Sequence, residues 1–198
     1  MIDADIDEAK ATLRVRAHAQ RQSAAKAAGG EAAATAAEHF FETVSLHAED
    51  VVAAYWPIRD ELDCRPILAR MMDNGQRVCL PAVLGDDQLL ELRLWEQDAP
   101  LYPSGFGTLA PIETAPVLDP NVIIVPLLAF DAFGTRLGYG KGHYDRTIAA
   151  IGKRPRVIGF AYAGQEMERL PRAEHDVPLD AVVTEQGVVH FGSGAGAT

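Results

Sequence analysis

The chain has 198 residues, which allows one domain of ordinary size and leaves little room for a second. Its composition, 48% hydrophobic and 23% charged, is typical of globular proteins. The net charge of −10 argues against duplex nucleic acid or an anionic membrane as the main partner, although a local basic pocket for a small anion is compatible with it.

The first half of the chain predicts helices followed by short strands. Gly29-Gly30 interrupts an alanine-rich helical region, Asp63 is a suitable N-cap, and Pro81 is expected to end a strand. In chain order, the predicted elements are helices at 7–28 and 31–47, a strand at 51–56, a helix at 66–72, and strands at 78–80 and 90–94.

The second half predicts an ordered, proline-rich loop over 98–121 and then the strongest buried-strand signal, Val122–Val125. The remaining predicted elements are a helix at 143–151 and strands at 157–162, 182–184 and 188–191. Alternating strands and helices indicate an α/β domain with a largely parallel sheet, in which ligands bind beyond the carboxyl ends of the strands. We expect a single domain over 1–191 and a flexible tail at 192–198.

The sequence also bears on the compartment. The N-terminal segment MIDADIDEAK is acidic and lacks the apolar core of a secretory signal, and the longest apolar run, 122–130, is too short to span a membrane. Cys64 and Cys79 have no CxxC spacing, so they suggest no zinc site. These features predict reduced thiols in a cytoplasmic protein.

The segment after Val122–Val125 is the candidate site for chemistry. It carries three alternating glycines and three cationic side chains: Gly138, Gly140, Gly142, Arg136, Lys141 and Arg146. Glycines let a backbone approach a phosphate, and the helix that follows offers N–H groups to an anion. The spacing matches neither a Walker A loop nor a Rossmann fingerprint, so by itself it leaves phosphate binding and a structural loop as alternatives.

The same segment resembles the hallmark of the 5-formyltetrahydrofolate cyclo-ligase family, VP..AFD..G.RLG.G.G.YDR. The resemblance extends to AKATLR near the N-terminus, to YWPIRDELD after the first strand, and to LPRAEHDVPLD near the C-terminus. Two features depart from the family pattern: His143 replaces a common aromatic residue, and Pro111–Pro116 is only loosely similar. The family implies a three-layer α/β/α architecture, the NagB/RpiA/CoA transferase-like fold.

The resemblance implies an ATP- and Mg²⁺-dependent enzyme that converts 5-formyltetrahydrofolate to 5,10-methenyltetrahydrofolate and releases ADP and phosphate. Phosphorylation of the formyl oxygen would create a leaving group, and folate N10 would then close the ring. ATP and a reduced folate are the expected partners of a monomer, with no nucleic acid or membrane. The alternative is a non-catalytic folate- or nucleotide-binding paralogue with a regulatory role.

The family motifs also imply roles for individual residues. The expected catalytic residues are Lys141 and Arg136. The expected ATP-binding residues are Lys10, Arg14, Arg136, Leu137, Gly138, Tyr139, Gly140, Lys141, Gly142, His143 and Tyr144. The expected folate-binding residues are Trp56, Glu61, Tyr139, Gly140, Lys141, Gly142 and His143. The expected Mg²⁺ ligands are Asp145 and Asp176.

Simpler interpretations remain open for several of these residues. Asp145 could merely complement a helix dipole, Asp176 could lie in a solvated acidic loop, and Trp56 could be a core aromatic. Lys10 and Arg14 lie one helical turn apart, so their spacing alone favours a solvated basic face. Under the family interpretation, the first helix instead folds over the nucleotide, and deleting residues 1–15 should weaken ATP binding while changing the thermal stability of the ligand-free protein little.

Overall fold

A seven-stranded sheet runs through the computed structural model, which describes residues 3–192. The helices are α1 (Asp3–Ala28), α2 (Ala32–Thr43), α3 (Arg65–Asp73) and α4 (His143–Ala150). The strands of the sheet are β1 (Val51–Ala53), β2 (Arg77–Ala82), β3 (Glu91–Trp95), β6 (Val122–Val125), β9 (Arg156–Phe160), β10 (Ala181–Thr184) and β11 (Gly187–His190). Short paired strands outside it are β4 (Tyr102–Pro103), β5 (Leu109–Ala110), β7 (Ala129–Phe130) and β8 (Arg136–Leu137).

The strand order is β11-β10-β9-β6-β1-β2-β3. The five inner strands run parallel to one another, whereas the edge strands β3 and β11 pair antiparallel with β2 and β10. All four residues of β6 are buried because it lies at the centre of the sheet with apolar layers on both faces. The predicted α/β architecture with a largely parallel sheet is therefore confirmed.

Helices cover both faces of this sheet. On one face, Phe40 of α2 and Ile67 of α3 pack in a cluster with Ile124 of β6. On the other face, Ile148 of α4 packs in a cluster with Ile123 of the same strand. Alternation of side chains along each strand thus supplies two apolar faces and produces three layers. The narrower likeness to the NagB/RpiA/CoA transferase-like fold stays a prediction.

Helix α1 lies outside these two layers. Its buried Ala17 packs with Leu128, Leu137 and Leu170, which belong to the loops and short strands that follow β6 and β9. The helix also contacts the 3₁₀ turn Ala163–Gln165, which follows β9. It therefore crosses the edge of the sheet at which a parallel α/β fold places its ligands.

Several predicted boundaries are wrong. Helix α2 ends at Thr43 rather than at 47, because Val44 adopts an extended backbone while its N–H still bonds the Phe40 carbonyl. The N-cap of α3 is Cys64, although the preceding Asp63 carboxylate accepts the backbone N–H of Arg65 at 2.9 Å.

Pro81 does not end its strand. β2 continues to Ala82, and Pro81 pairs with Leu92 of β3. The neighbouring strand β1 ends at Ala53, opposite Cys79, and does not extend as far as Pro81. The backbone N–H that proline lacks is therefore not needed for pairing with β1. The predicted loop over 98–121 likewise contains structure, since β4 and β5 pair around the turn Gly105–Gly107.

Other expectations fall partly outside the described chain. The predicted flexible tail covers residues 192–198, of which 193–198 lie outside the described residues. Among residues 3–192, no helix is both long and apolar enough to cross a membrane.

Both cysteines are buried free thiols, and burial raises the pKa of the Cys79 thiol to about 12. The domain boundary at 191, the cytoplasmic location and the monomeric state stay predictions.

Candidate active site

A cavity of about 350 Å³ opens at the carboxyl edge of the parallel strands. Trp56 lines it just beyond β1, Val83 beyond β2, and Pro126 beyond β6. Helix α1 contributes a further wall, and residues 136–145 of the glycine segment form another. Its volume lies within the range of small-molecule sites, and its position is the one that the predicted sheet implies.

The glycine segment, which lines this cavity, carries a row of backbone N–H groups without partners among the described residues. No described residue accepts a hydrogen bond from the backbone N–H groups of residues 138–142. Gly140 (φ +99°) and Gly142 (φ +64°) adopt left-handed conformations that residues with side chains rarely take, and Gly142 is the N-cap of α4. Several N–H donors at a helix N-terminus form a favourable environment for an anion.

Lys141 projects from this segment and pairs with Asp86 of the β2–β3 loop at 2.6 Å. Both side chains are about half exposed, at 47% and 60%. The ammonium group also lies 5.6 Å from the ring of Phe106, an exposed residue with φ of 59°. Sequence reasoning missed Asp86 and Phe106, because neither carries a motif and only the fold brings them to the glycines.

The second expected catalytic cation, Arg136, is more deeply placed. Its guanidinium donates to Asp145 Oδ1 at 2.6 Å and to the carbonyl of Val177, and its side chain is 6% exposed. Arg136 still lines the cavity, but its bonds position Asp145 in this structure. Leu137 is buried, so its side chain packs in the core with Ala17.

The two expected metal ligands lie close together. The backbone N–H of Val177 donates to Asp145 Oδ1 at 2.8 Å, which places Asp145 beside the neighbour of Asp176. Asp176 accepts Lys10 Nζ at 2.5 Å and the backbone N–H of Ala173 at 2.6 Å, both on Oδ2. Its side chain is 15% exposed, so the alternative of a solvated acidic loop is wrong.

Helix α1 brings cations to the same cavity. Lys10 is 6% exposed because it pairs with Asp176, and Arg14 Nε donates to the Gly138 carbonyl at 3.0 Å. The Arg14 guanidinium lies against Gly140, where an added Cβ would approach it to 2.9 Å. The alternative of a fully solvated helix face is therefore wrong, and contact of these cations with ATP stays a prediction.

Trp56 and Glu61, the expected folate contacts outside the glycine segment, also line the cavity. Trp56 packs edge-to-face on Trp95 with 5.6 Å between ring centroids, and it is partly exposed in the cavity. Glu61 is 8% exposed and lines the same cavity. Its Oε1 accepts the Tyr139 hydroxyl at 2.8 Å, and its Oε2 accepts the backbone N–H of Ile58 at 2.9 Å. Glu61 is therefore a buried carboxylate whose oxygens both have protein donors.

A buried arginine that sequence reasoning missed lies behind this wall of the cavity and contacts Tyr139. Arg21 of α1 makes a two-pronged contact with Asp60, at 2.8 and 3.1 Å, and donates to the Tyr139 hydroxyl at 2.7 Å. Residues 10, 14, 17 and 21 recur at helical spacing, so the sequence did contain a signal that they share one face of α1.

His143 departs from the family pattern at the start of α4. Its Nδ1 lies 3.2 Å from the Gln88 carbonyl, and its ring lies 5.6 Å from that of Phe106. Its buried Nε2 has no hydrogen-bond partner among the described residues. The imidazole thus places at the edge of the cavity a buried polar atom that an aromatic hydrocarbon ring would lack.

Comparison with known proteins agrees with these features. The family model of the 5-formyltetrahydrofolate cyclo-ligase family matches residues 6–185. The chain belongs to this family. It is therefore an enzyme of the cyclo-ligase type.

Individual relatives cover most of the chain. A 5-formyltetrahydrofolate cyclo-ligase from Escherichia coli K12 is 34% identical over 166 residues, spanning 80% of this chain and 89% of the relative. A 5-formyltetrahydrofolate cyclo-ligase from Mycolicibacterium smegmatis is 32% identical over 146 residues, spanning 70% of this chain and 75% of the relative. The solved structure of a 5,10-methenyltetrahydrofolate synthetase from Aquifex aeolicus has a TM-score of 0.75 at 28% identity and covers 96% of each chain.

Proposed function

We propose that this cyclo-ligase converts 5-formyltetrahydrofolate and ATP to 5,10-methenyltetrahydrofolate, ADP and phosphate. The single observation that carries the proposal is the row of unpaired backbone N–H groups at 138–142, at the N-terminus of α4, beside Lys141. Such a row suits the phosphates of a nucleotide. An amide formyl oxygen is a poor leaving group. Phosphoryl transfer from ATP to that oxygen makes it a good one and activates the formyl carbon for attack by N10.

The chemistry requires positioning and charge neutralisation rather than a protein nucleophile. Lys141 exchanges Asp86 for phosphate oxygens, an exchange that costs little because exposed ion pairs are weak. Lys10 and Arg14 approach the same region from α1 and close the site over the nucleotide. The phosphoryl group passes to the formyl oxygen, N10 attacks the formyl carbon and loses its proton to solvent, and phosphate leaves with that oxygen.

The reduced folate occupies the wall formed by Trp56, Tyr139 and Glu61. Trp56 offers a partly exposed aromatic surface for a flat heterocycle. Each Glu61 oxygen accepts one hydrogen bond from the protein and keeps a lone pair for an N–H donor of the substrate. The short distance between this carboxylate and the glycine segment, bridged by Tyr139, brings the folate beside the phosphates.

The residues present fit a magnesium ion. The hydrogen bonds of Asp145 to other described residues fall on Oδ1, and those of Asp176 fall on Oδ2, so each carboxylate keeps an oxygen for a cation. The described residues contain no group of three or more acidic, histidine or cysteine side chains poised for a metal. Mg²⁺ characteristically combines one or two carboxylates with nucleotide phosphates, and there it would neutralise phosphate charge.

The experiment mixes the purified chain with ATP, Mg²⁺ and 5-formyltetrahydrofolate and follows both the near-UV absorbance of the methenyl product and ADP. We expect product and ADP in equal amounts, with none when ATP is omitted. Product without ADP would contradict the mechanism. Tight binding of both ligands without turnover would contradict the proposed reaction and support a regulatory binding protein instead.

A further inference from the structure

A buried guanidinium lies directly behind the candidate folate wall. Arg21 has no exposed surface, although arginine is among the residues that are rarely buried fully. Burial works to lower the pKa of Arg21, but the hydrogen bond with Asp60 and the proximity of Tyr139 raise it above the ordinary value. The guanidinium is therefore a permanent positive charge inside the protein, fixed by Asp60 on one side.

This charge reaches Glu61 by two routes. Arg21 Nη1 lies 3.9 Å from Glu61 Oε1, a direct electrostatic contact. The same Nη1 donates to the Tyr139 hydroxyl, which in turn donates to Glu61 Oε1. Burial raises the pKa of Tyr139, and the nearby Glu61 raises it further, so the phenol keeps its proton and acts as a donor.

We propose that Arg21 is a positioning residue for the cyclo-ligase reaction, which holds the Glu61 carboxylate charged and oriented toward the reduced folate, directly and through the Tyr139 hydroxyl. The proposal deepens the proposed function and rests on it, because it takes Glu61 as the acid that binds the folate. Arg21 is fully buried and is not among the residues that line the cavity, whereas Glu61 is, so it acts on the substrate through Glu61.

The groups around Glu61 show why such a residue is needed. Burial raises the pKa of Glu61, whereas the Ile58 backbone N–H, the Tyr139 hydroxyl and the Arg21 charge oppose that rise. Asp60 acts in the same direction as burial because it carries a like charge. The ionisable groups Tyr55, Cys64 and Tyr144 also lie near enough to interact with Glu61, but each of them is neutral. Arg21 is thus the cation that faces Glu61 among the described residues.

The position of Arg21 also links two parts of the site. Helix α1 carries Arg14, which bonds the Gly138 carbonyl, as well as Arg21, which bonds the next side chain along the same segment. Docking of α1 therefore fixes the glycine segment and the folate acid together. A change at Arg21 should alter folate binding more than ATP binding, because its partners lie on the folate wall.

The test compares Arg21→Met, Arg21→Lys and Tyr139→Phe with Arg16→Met, an exposed arginine on the same helix. For Arg21→Met, we expect KM for the reduced folate to rise by about tenfold to a hundredfold, with little change in kcat or in KM for ATP. Arg21→Lys, which keeps the charge, should recover part of the loss, and Tyr139→Phe should raise the same KM by about threefold to tenfold. The Arg16→Met variant should match the wild type.

A second readout requires no turnover. Carbon-detected NMR titration of the Glu61 carboxyl, assigned with Glu61→Gln, should show its pKa moving upward in Arg21→Met by about one to three pH units. The acid limb of the folate kcat/KM profile should move in the same direction. A purely structural arginine would leave both unchanged in a folded variant, and that result would overturn the proposal.

The two readouts separate this proposal from the proposed function. If the wild-type chain shows no turnover but the Glu61 pKa still moves in Arg21→Met, the proposed reaction is contradicted. The proposed effect of Arg21 on the Glu61 carboxylate is then still supported. If Arg21→Met fails to fold, Tyr139→Phe carries the test because its ring is partly exposed and only a hydroxyl is removed. If the folate KM and the Glu61 titration then match the wild type in both Tyr139→Phe and Arg21→Lys, the proposal is overturned.

Discussion

At the scale of single residues, the site consists of charges that already have protein partners. Lys141 pairs with Asp86, Arg136 with Asp145, and Lys10 with Asp176. These pairs differ in burial: the first is about half exposed and the other two are largely enclosed. An exposed pair is screened by water and exchanges partners readily, whereas a buried one is costly to break. We therefore expect Lys141 to move to the phosphates and Arg136 to stay with Asp145.

Lys141→Ala tests the first of these expectations. Loss of one positive group beside the transferring phosphoryl should lower kcat by about tenfold to a thousandfold, as for other electrostatic donors. The melting temperature should hardly change, because the lost ion pair is exposed. Steady-state kinetics and thermal unfolding measure the two effects, and Lys153→Ala, an exposed lysine before β9, is the control. Wild-type kinetics in Lys141→Ala would assign the glycine segment a structural role.

At the scale of elements, α1 has two roles, one in the site and one in the fold, and the sequence predicted only the first. Its basic face lines the cavity, as the family interpretation requires, but it is also part of the fold. Ile6 and Ala17 are buried, and Lys10 is enclosed by its contact with Asp176. Removing residues 1–15 would therefore lower stability as well as ligand affinity, which revises the expectation that truncation leaves the protein equally stable.

The double substitution Lys10→Ala/Arg14→Ala is the cleaner experiment on α1. If both cations contact ATP, its Kd should rise by about tenfold or more, since hydrogen bonds to charged groups are the stronger kind. The melting temperature should fall modestly because the Lys10–Asp176 contact is lost. Calorimetric ATP titration measures the affinity, with Arg16→Ala as the control. Unchanged ATP affinity with lowered stability would show that this face serves packing alone.

At the scale of the whole molecule, acid stability depends on carboxylates held by hydrogen bonds. Burial works to raise the pKa of Asp60, but Arg21 brings it below the ordinary 3.8. The pKa of Asp50 is also lowered, because the His47 backbone and the Asn121 amide outweigh its burial. Each such group stabilises the folded state fully above its unfolded pKa, and this stability is lost as the pH falls through the lower folded pKa. The contribution of Glu61 to stability has the opposite dependence on pH, because its pKa in the folded state is raised above the ordinary 4.5.

We therefore expect the free energy of unfolding to fall as the pH drops below about 4. Asp60→Asn should flatten this dependence, because its side chain no longer titrates, although the variant is less stable at neutral pH. Urea unfolding at a series of pH values measures both quantities. Asp119→Asn, an exposed aspartate, should keep the wild-type slope. Parallel profiles for Asp60→Asn and the wild type would mean that the Arg21–Asp60 contact contributes no linked stability.

Much of the fold and the site could be read from local patterns. The run Val122–Val125 identified the central strand because a buried strand is continuously apolar, and alternation with helices identified the parallel sheet. The glycines at 140 and 142 indicated backbone conformations that other residues rarely adopt, and both have positive φ. These inferences succeeded because each depends on neighbours within a few positions of the chain.

Other features depended on residues far apart in the chain. Whether Pro81 ends β2 depends on where β1 ends, and whether Lys10 is solvated depends on Asp176, 166 residues away. Arg21 reads locally as one more charge on a polar helix, yet packing removes its water and leaves Asp60, Glu61 and Tyr139 as its surroundings. The electrostatic free energy of a charged side chain depends on its partners and on its burial, and both are determined by the tertiary structure.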